Sequence, residues 1–169
     1  GDILRMLTAE GIGTGLVTQV PGRQPGLYLI DNDEDGERRF SYWRDRAPVR
    51  EMFDQPLAVD GIDALYFTGI TLAVTRSGLP NLIELLSGAR HDGGRVLFDP
   101  NYRPGLWDSR SQAQEHFEAV LPLCDTVLST LDDDTALWGV DSDRACRQLY
   151  EDKGVRELVI KGAALTVQV

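Results

Sequence analysis

The sequence predicts an α/β domain: a mostly parallel sheet with helices on both faces, and a small β-hairpin beside it. Three observations predict this. From Ala64 onward, short apolar runs that end in turn residues alternate with helical periodicity, the pattern of repeated β-α-β units. Nearer the N-terminus, two β-prone runs flank an acidic Asp-Gly turn that does not belong to that rhythm. The chain has 169 residues, 42% of them hydrophobic, enough for one domain with a proper core and a small appendage.

The elements follow in order. Ile3 to Glu10 reads as the end of an amphipathic helix stopped by Gly11. Gly15 to Gln19 reads as a short strand. Gly26 to Ile30 and Arg38 to Tyr42 form the hairpin, and Asp31 to Glu37 form its solvated turn. That turn lacks the ligand spacing of an EF-hand calcium loop. Ala64 to Thr68 is a strand, and Thr75 to Ala89 a helix with Leu79, Leu82, Ile83, Leu85 and Leu86 apolar. Arg95 to Asp99 is the next strand, followed by a helix over Gln112 to Leu121. Asp125 to Leu128 is a strand, with a helix from Asp132 to Trp138. Ser142 caps a helix that runs to Lys153, and Glu157 to Ile160 is the last clear strand.

Composition narrows the function. The net charge of -10 argues against nucleic acid and anionic membrane surfaces, which call for basic patches. No run of 18 apolar residues is present. Cys124 and Cys146 stand far apart, without metal-ligand spacing, in apolar patterns. They read as buried free thiols of a reducing cytoplasm. There is no Walker A motif, no GxGxxG and no nucleophile triad pattern, and His91 and His116 sit in polar contexts.

Ligands of open α/β sheets bind beyond the carboxyl ends of the strands. Asp99, Asn101 and Arg103 follow such an end, and Arg103 offers a fork for a carboxylate or phosphate. The same pattern also fits an Asp that caps backbone amides and an Arg paired with an acid. On the hairpin, Tyr42 and Arg44 share a face and Tyr28 lies on the opposite strand. They suit a hydroxylated acid, or equally half-buried strand tyrosines and a surface charge. Asp132, Asp133 and Asp134 open a helix after a strand. They complement its macrodipole, and they stand where a Mg²⁺-phosphate complex uses carboxylates through water. Lys161-Gly162 ends the last strand.

In this order and at these spacings, the motifs resemble the ribokinase-like (PfkB) carbohydrate kinases. Within them they are most similar to the 2-keto-3-deoxygluconate kinases. The resemblance is carried by Pro25-Gly26-Leu27-Tyr28, Gly36-Glu37-Arg38, Tyr42-Trp43-Arg44 with Ala47, and Thr68 to Ala73. It continues through Asp99-Pro100-Asn101-Tyr102-Arg103, Leu106-Trp107, Thr130 to Asp133 and Val159 to Gly162. It implies a partial kinase domain over residues 1–169, with residues 16–46 as a β-lid that covers the sugar and builds a homo-oligomer interface. Tyr28, Tyr42, Arg44 and Ile70 would hold an open-chain sugar acid, with Arg103 on its carboxylate. Asn101 would lie near the transferred phosphate, and Lys161 and Gly162 would approach ATP. Asp133 would serve Mg²⁺ through water, although the family's Asn-x-x-Glu is Thr130 to Asp133 here.

The family's N-terminal Gly-Gly motif and its late Gly-Ala-Gly-Asp motif, which carries the general base, are not among these residues. The chain begins in a helical pattern and stops in a strand-like run. The expectation is a piece of a longer cytoplasmic protein, inactive by itself, with its base beyond residue 169. Other readings of the same residues are a fructokinase- or ribokinase-like enzyme for a neutral sugar, and a non-catalytic sugar-acid binding module.

Overall fold

A computed structural model of the chain describes residues 2–32, 38–162 and 167–168. It divides into two compact units, Gly1–Pro48 and Val49–Val169.

The first unit holds helix α1 (Asp2–Ala9) and an antiparallel hairpin of β1 (Leu27–Asn32) and β2 (Arg38–Trp43). The register pairs Leu27 with Trp43 and Tyr28 with Tyr42. The hairpin turn at residues 33–37, with Gly36-Glu37 of the motif above, lies outside the described residues. The strand expected at Gly15 to Gln19 does not form. Thr14 accepts from the Val17 amide in a turn instead, and Leu16, Val17 and Val20 are exposed with no strand beside them.

In the second unit, β3 (Ala64–Thr68), β4 (Arg95–Asp99), β5 (Thr126–Thr130) and β6 (Glu157–Lys161) are parallel and lie side by side in chain order. A short antiparallel β7 (Val167–Gln168) follows β6. The connections run through α2 (Gly69–Val74), α3 (Leu79–His91), α4 (Arg110–Val120), α5 (Leu131–Trp138) and α6 (Asp143–Asp152).

Side chains alternate across a sheet. Phe67, Val96, Phe98, Val127, Leu158 and Ile160 point to one face and are buried. They form one core with Leu72, Leu82, Leu86, Phe117, Leu137 and Tyr150 of the helices. Helices on both faces were expected, but the described helices cover only this one. Strands laid down in chain order by right-handed crossovers put every connecting helix on the same side. The other face, with Tyr66, Leu97, Leu128 and Val159, is partly or largely exposed.

The long helix expected from Thr75 begins later, at Leu79, and an additional helix, α2, starts directly at the end of β3. Its signal is a reciprocal Thr68–Thr71 capping box. Gly69 is required there, because a Cβ would run into the Pro100 carbonyl and the Phe117 ring.

Candidate active site

The carboxyl ends of the parallel strands bring most of the sequence-selected residues of the second unit to one edge. Thr68 is in register with Asp99, and Thr130 with Lys161. Beyond Asp99 the chain turns through Pro100 and Asn101. Asn101 has φ of 34°, the single non-glycine residue with positive φ among the described residues. Tyr102 and Trp107 are buried, and both rings pack edge-on against Phe117. The loop is thus anchored on either side of Arg103, whose side chain stays 54% exposed.

Arg103 Nη1 donates to Asp133 Oδ1 at 3.2 Å and to the Tyr102 carbonyl at 2.9 Å. Asp133 lies in the first turn of α5, where Thr130 caps the helix by accepting from the Asp133 amide at 3.3 Å. Lys161 Nζ donates to Asp99 Oδ2 at 2.7 Å. Asp99 Oδ1 also accepts from the Asn101 amide at 3.1 Å, and Tyr66 Oη approaches Asp99 Oδ2 at 3.4 Å. Burial, the Asp99 charge and this hydrogen bond raise the Tyr66 phenol, so it remains a donor. Both cations of the edge are therefore paired with carboxylates of the chain. Ile70, half-buried, occupies the first turn of α2, and Gly162 is exposed just past β6.

Asp134, next to Asp133, is fully buried. It accepts from Ser129 Oγ and Tyr150 Oη, each at 2.6 Å. Desolvation raises its carboxyl above the usual range, against the pull of its Ser129, Tyr150 and Cys146 hydrogen bonds. This network ties the first turn of α5 to β5 and α6. The sequence groups Asp134 with Asp132 and Asp133 at the helix start; its one distinguishing signal is its helical spacing three residues before Leu137.

In the first unit, the Tyr28 and Tyr42 rings face each other across the hairpin with centroids 6.2 Å apart. The Arg44 guanidinium lies 4.4 Å over the Tyr42 ring, a cation–π contact. The structure brings these three together as the alternation of β2 predicts.

No group of three or more His, Cys, Asp or Glu suited to a metal occurs among the described residues. The single carboxylate of Asp133 fits a Mg²⁺ ion that arrives on phosphates and keeps its waters, which is how Mg²⁺ is commonly held. It does not fit a cage built by protein alone. No helix among the described residues is long and apolar enough to cross a membrane.

The second unit is an α/β domain whose parallel sheet gathers Asp99, Arg103, Asp133 and Lys161 at its carboxyl edge. The family model for pfkB family carbohydrate kinases matches residues 1–165, and the chain belongs to this family. It is 37% identical over 167 residues to the 2-dehydro-3-deoxygluconokinase of Haemophilus influenzae, covering 95% of this chain and 53% of that protein. The chain thus spans about half the length of the curated relatives it matches. Among solved structures, a PfkB protein from Polaromonas sp. JS666 superposes with a TM-score of 0.86 at 23% identity, over 98% of this chain and 57% of that one. The aminoimidazole riboside kinase of Salmonella enterica, complexed with aminoimidazole riboside and an ATP analogue, superposes at 0.82 with 20% identity, over 98% and 53%. The ribokinase-like α/β fold expected from the motifs is therefore the fold observed.

Proposed function

We propose that the complete protein transfers the γ-phosphate of ATP to the terminal hydroxyl of 2-keto-3-deoxygluconate. The observation that carries this reading is Arg103, a half-exposed guanidinium fixed at the strand-end edge between two buried aromatic anchors. A neutral sugar gives such a fork nothing to bind, whereas a sugar acid offers it a carboxylate. The 37% identity to 2-dehydro-3-deoxygluconokinases supports the same substrate.

In this reading Arg103 binds the carboxylate and Ile70 lines the pocket. Tyr28, Tyr42 and Arg44, in contact through the Tyr42 ring, are assigned to the sugar acid as well. Asn101, Lys161 and Gly162 face the phosphates of ATP. Mg²⁺, when bound, neutralises charge on those phosphates, with Asp133 as its protein-side partner through water. Phosphoryl transfer of this kind depends mainly on positioning and charge stabilisation. The hydroxyl proton goes to the aspartate general base that the family resemblance implies.

Two further assignments go with this proposal. The exposed Leu27, Leu29, Ile30 and Trp43 of the hairpin suit a homo-oligomer interface. The buried free thiols of Cys124 and Cys146 suit the cytoplasm.

The test is Arg103→Ala in the complete protein. Loss of a charge-assisted contact raises KM for the sugar acid by about 10- to 100-fold and spares KM for ATP. Equal effects on both substrates, or a preference for a neutral sugar, would overturn the carboxylate role.

A further inference from the structure

We propose that Asp99 is a positioning residue that sets two phosphate-facing groups at once, Asn101 through the backbone and Lys161 across the sheet. The proposal rests on the kinase reading above, in which Asn101 and Lys161 face the nucleotide.

The first arm is local. Asn101 holds a φ of 34°, a conformation that L-residues rarely adopt without support. Asp99 Oδ1 accepts the Asn101 amide at 3.1 Å, and Pro100 between them has its own φ fixed by its ring. The carboxylate therefore closes the turn that aims the Asn101 side chain.

The second arm is long. Lys161 ends β6 and Asp99 ends β4, and β5 lies between them. Two strand spacings separate their backbones by roughly 9–10 Å, yet Nζ and Oδ2 are 2.7 Å apart. The lysine stem must cross the end of β5 on the face that carries Leu128 and Thr130, so its ammonium is held over the middle of the strand-end edge. Lys161 is 40% exposed and Asp99 15%, and with water still reaching the ammonium the pair adds only modestly to stability. What it fixes is location. A lysine is a point charge on a flexible stem, and a cation already in place needs no reorganisation when a phosphate arrives.

The carboxylate is itself fixed from a third direction. Tyr66 Oη, from β3, approaches Oδ2 at 3.4 Å. Groups from β3, from the loop after β4 and from β6 thus converge on Asp99, and its direction is set before any ligand binds. If Asp99 instead competed with phosphate for Lys161, removing its charge would strengthen nucleotide binding. The two roles predict opposite signs.

The experiment uses the complete protein carrying D99N, D99A, K161M or D99N with K161M. ADP affinity is read by calorimetry in the absence of sugar, and kcat and both KM values by a coupled assay. D99N keeps an oxygen for the Asn101 amide and removes the ion pair; D99A removes both. K161M and D99N are each expected to weaken ADP by about fivefold, the size a half-exposed charge pair carries. The double variant is expected to be no weaker than either single one. D99A is expected to lose a further factor of about ten or more in kcat that D99N retains, with KM for the sugar acid unchanged in all.

Tighter ADP binding by D99N would overturn the proposal, as would wild-type affinity in D99N beside weakened K161M. Equal kcat in D99N and D99A would remove the Asn101 arm. Wild-type affinity in K161M would take Lys161 out of the nucleotide site and the long arm with it. Failure of the wild-type protein to phosphorylate the sugar acid would instead overturn the substrate reading, while the ADP results would still decide the role of Asp99.

Discussion

Arg103 and Asp133 meet at 3.2 Å, and this contact joins the loop after β4 to the first turn of α5. In the proposed function one partner serves the sugar acid and the other Mg²⁺ on the nucleotide, so this contact would link the two substrates. The pair is exposed on the arginine side, and such pairs exchange partners at little cost. Asp133→Asn is expected to raise KM for Mg·ATP while moving the folding stability by less than about 1 kcal/mol. A large fall in the thermal midpoint at unchanged KM would assign Asp133 to structure instead.

Position 69 tests the packing behind this edge. A methyl group at Gly69 meets the Pro100 carbonyl and the Phe117 ring. Gly69→Ala is therefore expected to destabilise by about 1–3 kcal/mol, the range for overpacking, as read by urea unfolding. A wild-type midpoint would show that the loop at Pro100 yields freely.

Asp134 makes stability depend on pH. Desolvation raises its folded carboxyl above the ordinary 3.8, and the Asp133 charge adds to this; the Ser129, Tyr150 and Cys146 hydrogen bonds oppose it. The folded state thus binds this proton more tightly than the unfolded chain does. Its contribution is whole below pH 3.8 and is lost as pH rises through the folded value. The difference in unfolding free energy between wild type and Asp134→Asn is expected to change as pH rises above 3.8 and through the raised folded value. A constant difference would mean that Asp134 titrates as it does in the unfolded chain.

The two thiols should be silent. Burial pushes Cys124 and Cys146 up to about 12, which leaves far fewer than about one in a thousand as thiolate near pH 8. Iodoacetamide is expected to label neither in the native protein and both in urea. Labelling of either under native conditions would show that its element opens.

Thr130 caps α5 by accepting from the Asp133 amide. Thr130→Ala is expected to cost about 1 kcal/mol through the lost cap, whereas Thr130→Asn keeps it. Thermal midpoints of the two variants check this directly; equal loss in both would place the contribution of Thr130 elsewhere.

Much of the parallel sheet was legible in the sequence, because its strands are apolar runs cut off by turn residues. Ala64–Thr68 and Arg95–Asp99 fall where the sequence places them. The helix at Gly69 was hidden, since Gly-Ile-Thr opens it without a long apolar stripe and its evidence is a capping pair of threonines. The exposed second face was hidden too, because strand order is not written in local periodicity. In the candidate site, Asn101, Arg103, Asp133 and Lys161 are singled out by the sequence as individual residues, and the structure places them at one strand-end edge. Their pairing is not legible there, since Asp99–Lys161 and Arg103–Asp133 each depend on which strands become neighbours in space.

The backbone at Asn101 bears on how this site can drift in evolution. A residue with φ of 34° is filtered twice, once by chain geometry and once by chemistry. Gly satisfies only the first demand. Most other side chains fail the first before the second is tried. Asp meets the first and replaces the amide by a negative charge. Almost every replacement of Asn101 therefore fails the backbone demand, the chemical demand or both.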